Sequence, residues 1–329
     1  MKAAVVLHAG SLPVYADFDA PPPTPGAQRI AVTTAALSAV VKARVSGTHY
    51  SATGSFPFIA GIDGVGRTED GRRVYFILPP APYGSMAEIA TVPDAQCVPL
   101  PNGIDDTTAA AIANPGLSSW SALTQRTKLV VGETVLINGA TGTSGRLAVQ
   151  VAKRLGAAKV IATARNVARL QALTALGADE TVVLSEDIDA LDLAFKKQFA
   201  AGVDIVLDYL WGRSAERLVV AAKAGPEAVP IRFVQLGNAS AANITLPASA
   251  IRSSTVEMMG CGIGSVPLNG IVRAITDVLH AAAERPFDFP TITAPLSDVE
   301  RAWVVDGGMP RLVFKIGRTA DLGSLGTNR

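Results

Sequence analysis

The residues whose spacing constrains chemistry most are three glycines, in Thr134-Val135-Leu136-Ile137-Asn138-Gly139-Ala140-Thr141-Gly142-Thr143-Ser144-Gly145. An apolar run enters this segment. Leu147, Val151 and Leu155 then repeat every four residues, the pattern of a strand turning into a helix. Such a turn suits a diphosphate: glycines let the backbone approach the anion, and the first N–H groups of the helix point at it. Thr141, Thr143 and Ser144 sit within the same cradle. The plainer reading is an ordinary strand–helix turn. A Walker loop is excluded, because Arg146 and Leu147 follow Gly145 in place of Lys and Ser or Thr.

The nucleotide is read about 20 residues further on, where an NAD site places Asp or Glu on the ribose hydroxyls. Here Ile161-Ala162-Thr163-Ala164 leads into Arg165, and Arg169 follows one helical turn later. A guanidinium in place of the acid suits a 2′-phosphate and predicts NADP. Alternatively, both arginines are solvated charges at a helix start. Metal chemistry is poorly supplied: Cys97 and Cys261 are far apart in sequence, and His8, His49 and His280 do not cluster.

These residues need elements to hold them. The first hundred residues carry short apolar runs (Lys2–Leu7, Arg29–Thr33, Arg73–Ile77, Ala87–Val92) between turn signals, and predict a β-rich unit with little helix. Asp105-Asp106-Thr107-Thr108 reads as a helix start, and Asn114-Pro115-Gly116 as its break, with a second helix from about Ser118. Strands are expected at Thr134–Asn138, Lys159–Ala164, Thr181–Leu184, Val203–Tyr209, Ile231–Leu236 and Val256–Cys261. Helical patterns at Gly145–Leu155, Val167–Leu176 and Ser214–Ala224 lie between them, an alternation that argues for a doubly wound parallel sheet. A helix over Ile271–Ala283 and strands at Thr291–Ala294 and Arg311–Ile316 follow. The polar, Gly-rich tail after Arg318 is expected to fray.

The chain has 329 residues and a formal net charge of +1 with no basic block, so neither nucleic acid nor a membrane surface has an electrostatic claim on it. The apolar stretch Ala3–Leu7 is too short for a signal peptide, and no apolar run reaches the roughly 20 residues that span a bilayer. The expectation is a cytoplasmic protein with reduced thiols.

With these residues in place, the chain resembles the zinc-free quinone oxidoreductase (zeta-crystallin-like) branch of the medium-chain dehydrogenase/reductase superfamily. The resemblance runs over roughly residues 1–317. It rests on Ser46-Gly47-Thr48-His49-Tyr50, Gly61-Ile62-Asp63-Gly64-Val65-Gly66, Gly84-Ser85-Met86-Ala87-Glu88, Gly116-Leu117-Ser118-Ser119-Trp120, the glycine turn, Gly202-Val203-Asp204 and Gly237-Asn238-Ala239-Ser240. It implies an α/β protein: a GroES-like catalytic domain (1–117 and 286–329) and a Rossmann NADP-binding domain (118–285). It further implies dimers paired near Val256–Cys261. Zinc-dependent relatives carry an early Cys and a Gly-His-Glu segment. Here Ser38 and Gly61-Ile62-Asp63 stand in those regions, and the four-cysteine lobe is missing.

The implied activity is hydride transfer from NADPH to a quinone or an α,β-unsaturated carbonyl, with a non-enzymatic NADPH-binding sensor as the alternative. Ser118 is implied near the nicotinamide, or is simply a helix cap. Gly237, Asn238 and Arg311 are implied as further cofactor contacts. Tyr50 is the nominated catalytic donor. If the segment is extended, alternation turns the neighbouring His49 to the opposite side. Asn-x-x-Asp before the Ser-Gly pair, common in relatives, is replaced by Ser38 and Val41, and the usual Tyr-Arg after the third Rossmann strand by Leu184-Ser185.

Overall fold

A computed structural model describes residues 1–52 and 54–317. The chain divides into two compact units, Met1–Asn114 with the segment from Ile275 onward, and Pro115–Ala274. The second crossing therefore falls inside a helix, Leu268–Glu284, and not after it near 285. The tail beyond 317, expected to fray, lies outside the described residues.

In chain order the first strands are β1 (Lys2–Val6), β2 (Val14–Asp17), β3 (Ala27–Ala36), β4 (Phe58–Ile59), β5 (Asp63–Thr68), β6 (Arg73–Ile77), β7 (Ile89–Pro93) and β8 (Cys97–Pro99). Then come β9 (Thr134–Asn138), β10 (Lys159–Ala164), β11 (Glu180–Val183), β12 (Ile205–Asp208), β13 (Ile231–Gln235), β14 (Val256–Gly260), β15 (Thr291–Pro295) and β16 (Arg311–Lys315). Helices used below are α1 (Ala39–Val45), α2 (Asp106–Ser121), α3 (Thr143–Arg154), α4 (Val167–Gln171) and α5 (Ile188–Ala200).

The first unit is the β-rich one. A sheet in the order β15-β16-β3-β5-β6-β8, with β7 also on β3, lies alongside a three-stranded sheet β2-β1-β4 in the same unit. The pairings are antiparallel except β15 with β16. C-terminal β16 is hydrogen-bonded to β3, so the last strands complete a sheet begun by the first. Ile30, Phe76, Met86, Trp303 and Phe314 form its core. The short helix α1 was not foreseen. Ser38 caps it by accepting from the Val41 N–H at 3.0 Å, and Val41 and Val45 turn inward.

The second unit is a six-stranded parallel sheet in the order β11-β10-β9-β12-β13-β14. The chain starts in the middle at β9, builds outward through β10 and β11, and returns to β12 on the other side. β9 and β12 thus flank the reversal of strand order, where doubly wound sheets bind ligands at the carboxyl ends of their strands. Leu136, Ile161, Val206 and Phe233, one from each of four neighbouring strands, share one core cluster. α5, with Asp187 as its cap and Leu191, Phe195 and Phe199 buried, covers a stretch for which the sequence reading named no helix.

One expectation is corrected outright. Helix α2 does not break at Asn114-Pro115-Gly116; it runs unbroken through Pro115 to Ser121. Its start is as read, with Asp105 accepting from the N–H groups of Thr107 and Thr108 at 2.9 and 3.0 Å. A proline inside a helix costs about 3 kcal/mol. Ser119, Trp120 and Ser121 after it are buried, and that packing would be lost if the helix ended there.

Candidate active site

The glycine turn sits at the carboxyl end of β9. Its geometry requires glycine at two places. Gly139 has φ +88°, and a Cβ at Gly145 would lie 2.3 Å from the Gly139 carbonyl oxygen and 2.7 Å from the Ala140 Cα. Gly142 differs: its φ is −74° and a Cβ there would meet nothing closer than 3.5 Å. It is the cap residue of α3, whose start no side chain caps. An amide-lined helix start with open space at Gly142 fits a diphosphate.

Below the turn a buried polar network fixes the strand ends. Asn138 donates to Asp208 at 2.8 Å and to Ser214 at 2.9 Å, and the Thr163 hydroxyl donates to Asn138 at 2.7 Å. The N–H groups of Gly139 and Ala140 both donate to the Thr163 carbonyl, at 3.1 and 2.9 Å. Asp208 also accepts from the Leu210 and Trp211 N–H groups. Burial pushes its carboxyl above the ordinary carboxylate range, opposed by those hydrogen bonds. The sequence reading did not single out Asn138 or Asp208 for this role.

Arg165 lies two residues beyond Thr163, so the same strand end that anchors the glycine turn carries the guanidinium. Arg165 and Arg169 are exposed, and no carboxylate among the described residues pairs with either. Asn166 between them caps α4 by accepting from the Arg169 N–H at 2.9 Å. Gly237 and exposed Asn238 follow β13, and the Gly237 N–H donates to the Asp208 carbonyl at 3.2 Å. Ser118 is not a helix cap. It lies inside α2, donates to the Pro115 carbonyl at 2.8 Å, and is 3.2 Å from the Tyr209 hydroxyl. Burial pushes the Tyr209 phenol well above its ordinary range. Arg311 lies on β16, in the first unit.

The first unit has its own concavity, a cavity of about 180 Å³ between α1, the loop that follows it, and the segments around Phe58 and Tyr83. The loop is not extended. The N–H groups of Thr48 and His49 both donate to the Ala43 carbonyl, and the Ala52 N–H returns to His49. Residues 49 and 50 therefore do not face opposite ways. Their rings stack, with centroids 4.3 Å apart and planes at 29°. Burial and the nearby charge of Arg44 hold the His49 imidazole below its ordinary pKa. Tyr50 is 71% exposed and is carried between Gly47 and Ala52, both of which line the cavity. The lining side chains Arg44, Phe56 and Tyr83 had no motif to reveal them.

Residues 145–276 match a family described as zinc-binding dehydrogenase. The probable NADPH-dependent quinone reductase tdiC of Emericella nidulans is 30% identical, the match covering 92% of this chain and 96% of that one. The chain belongs to the quinone oxidoreductase branch of the medium-chain dehydrogenase/reductase family. Among solved structures, the quinone oxidoreductase of Thermus thermophilus, described with its NADPH complex, superposes with a TM-score of 0.78 at 27% identity, over 96% of this chain and all of that one. A shorter match, 26% identical over 39% of this chain and 35% of the relative, is to trans-enoyl reductase pgmF of Aspergillus terreus.

In this quinone oxidoreductase the residues that the sequence reading set in the zinc-ligand regions of relatives have other contacts. The Ser38 hydroxyl caps α1, Ile62 belongs to the apolar core, and buried Asp63 accepts from the Tyr75 hydroxyl at 2.7 Å and from Asn114 at 3.1 Å. Among the described residues no three His, Cys, Asp or Glu gather as a metal site. Burial raises the Asp63 carboxyl, offset in part by Tyr75, Asn114 and the charge of Arg311. Arg311 is buried as well, with Nε and Nη2 lacking hydrogen-bond partners. Two unpaired buried donors on a guanidinium suit an anionic ligand group. No helix among the described residues is long and apolar enough to cross a membrane.

Proposed function

We propose that this protein is a zinc-independent NADPH-dependent reductase that delivers hydride to a quinone or an α,β-unsaturated carbonyl. The observation that carries the reading is the glycine turn at the strand-order reversal, followed by Arg165 where an NAD site keeps an acid. Gly139–Gly145 and the start of α3 would hold the diphosphate, Arg165 with Arg169 the 2′-phosphate, and Ser118, Gly237 and Asn238 further parts of the cofactor. Arg311, with its unpaired donors, would hold an anionic part of it. When bound, NADPH supplies the hydride; the protein supplies binding, orientation and exclusion of water. The acceptor would occupy the cavity of the first unit. A second copy of the chain is proposed to pair along β14, the edge strand of the parallel sheet. The compartment we propose is the cytoplasm.

The test is NADPH consumption, followed by its absorbance, against a panel of quinones and enones with and without a chelator. Turnover unchanged by chelation is expected. Loss on chelation with recovery on added zinc would overturn zinc independence. NADPH bound but never consumed would instead favour a sensor.

Tyr50 is the proposed proton donor. Hydride arriving at the β-carbon of an enone places negative charge on the carbonyl oxygen, and a phenol stabilises that charge before protonating it. Removing one such donor costs roughly 10²–10³ where the site relies on it. Tyr50→Phe is expected to slow enone reduction at least tenfold without changing NADPH affinity, and to slow quinone reduction less. His49→Ala removes the stacking partner and the Nδ1 hydrogen bonds to Ser51 but no proposed donor, and is expected to do less than Tyr50→Phe. The reverse order of effects would transfer the donor role to His49.

A further inference from the structure

The cavity of the first unit holds one charge with no partner. Its walls are apolar and aromatic, among them Val41, Val45, Phe56, Phe58 and Tyr83, and Arg44 faces it from α1. Several cations elsewhere in this unit are paired: Lys42 with Asp306 at 2.8 Å, Arg73 with Asp106 at 2.6 Å, and Arg72 with Asp70 at 2.7 Å. Arg44 forms no ion pair and its guanidinium makes no hydrogen bond among the described residues. Desolvation also holds its pKa below the usual arginine value. His49, on which the Arg44 charge acts, is held toward the neutral form by burial and by that charge, and adds no competing charge.

A half-buried guanidinium against aromatic walls, with no carboxylate to offset its desolvation, is costly unless a ligand brings the anion. Its planar fork matches a carboxylate in two parallel hydrogen bonds. Cavities on the order of 150 Å³ accept an aromatic ring, and this one is about 180 Å³. We propose that the cavity selects aromatic acceptors of one or two rings that carry a carboxylate, with Arg44 as the group that recognises it. The inference rests on the reading of this cavity as the acceptor site and narrows its substrate class.

Binding is tested apart from turnover by calorimetric titration of 2-naphthoate and its neutral amide, 2-naphthamide, into the full protein. Naphthoate is expected to bind at least tenfold more tightly. Arg44→Gln should abolish that difference while the amide still binds, which shows that the cavity survives. Arg44→Lys should restore part of the difference, since a point charge replaces the fork. Equal affinity for the two probes, binding of neither, or a preference that survives Arg44→Gln overturns the inference. A second arm compares NADPH-dependent reduction of 1,4-naphthoquinone and its 2-carboxylate, where the wild type should favour the carboxylate in kcat/KM and Arg44→Gln should not. Failure of both quinones to turn over would count against the reductase reading, while the naphthoate titration decides the role of Arg44.

Discussion

Gly145→Ala is expected to lower NADPH affinity by roughly 100-fold or more. The added Cβ would lie 2.3 Å from the Gly139 oxygen and within 2.9 Å of the Ala140 backbone, and no flexible side chain stands there to give way. The turn itself must move. The Gly139 carbonyl already accepts from the Gly142 N–H at 3.2 Å, so displacing it disturbs the amides that would hold the diphosphate. Each hydrogen bond to a charged group is worth about 1.5–3 kcal/mol, and losing two reaches roughly 100-fold. Overpacking of this kind also costs on the order of 1–3 kcal/mol of stability, so the melting temperature should fall. Gly142→Ala separates the two effects. A Cβ there meets nothing closer than 3.5 Å at an ordinary backbone angle, so the free protein should melt as the wild type does. NADPH affinity should nevertheless drop, because the new methyl group occupies the space left for the diphosphate. Wild-type NADPH affinity in both variants, measured by fluorescence titration, would remove the glycine turn from the cofactor site.

The parallel sheet was legible because its central strands β9, β10 and β12 are largely apolar runs set between helices. β9 and β10 fall where the residues place them, and β11 to β14 shift by one or two residues at their ends. Buried parallel strands must be apolar on both faces, so their signal survives without any knowledge of partners. The glycine turn was legible for a related reason, since only backbone geometry constrains it. What stayed hidden depends on tertiary packing. Pro115 reads as a helix breaker to any local rule, and the burial of Ser119, Trp120 and Ser121 beyond it, which favours a continuous helix, lies outside that rule. His49 and Tyr50 alternate only if their segment is extended, whereas hydrogen bonds to the Ala43 carbonyl wind it into a turn. Arg44 is one arginine in a seven-residue helix with no motif, and its importance comes from aromatic residues more than ten positions away closing over it. The buried Asn138–Asp208 hydrogen bond joins residues 70 positions apart, and each alone is an ordinary polar end of a strand.

Arg165→Asp is expected to erase the preference for NADPH over NADH and to reverse it in part. In the wild type the guanidinium has no carboxylate partner to release, so its hydrogen bonds to a 2′-phosphate come without breaking an existing ion pair. One charge-assisted contact of about 1.5–3 kcal/mol corresponds to roughly 10- to 150-fold in relative affinity. The aspartate would repel the phosphate and accept from the 2′-hydroxyl of NADH, as acids at this strand end do in NAD sites. Arg169→Ala should cost less, because it removes a second contact and introduces no repulsion. Since both arginines are exposed, the wild-type preference should shrink at high salt, where a charge on the surface is screened within about 10 Å. A preference that came from shape alone would not. Titrating both cofactors at low and high salt therefore distinguishes charge from fit. Equal wild-type affinity for NADPH and NADH at low salt would refute the role assigned to Arg165.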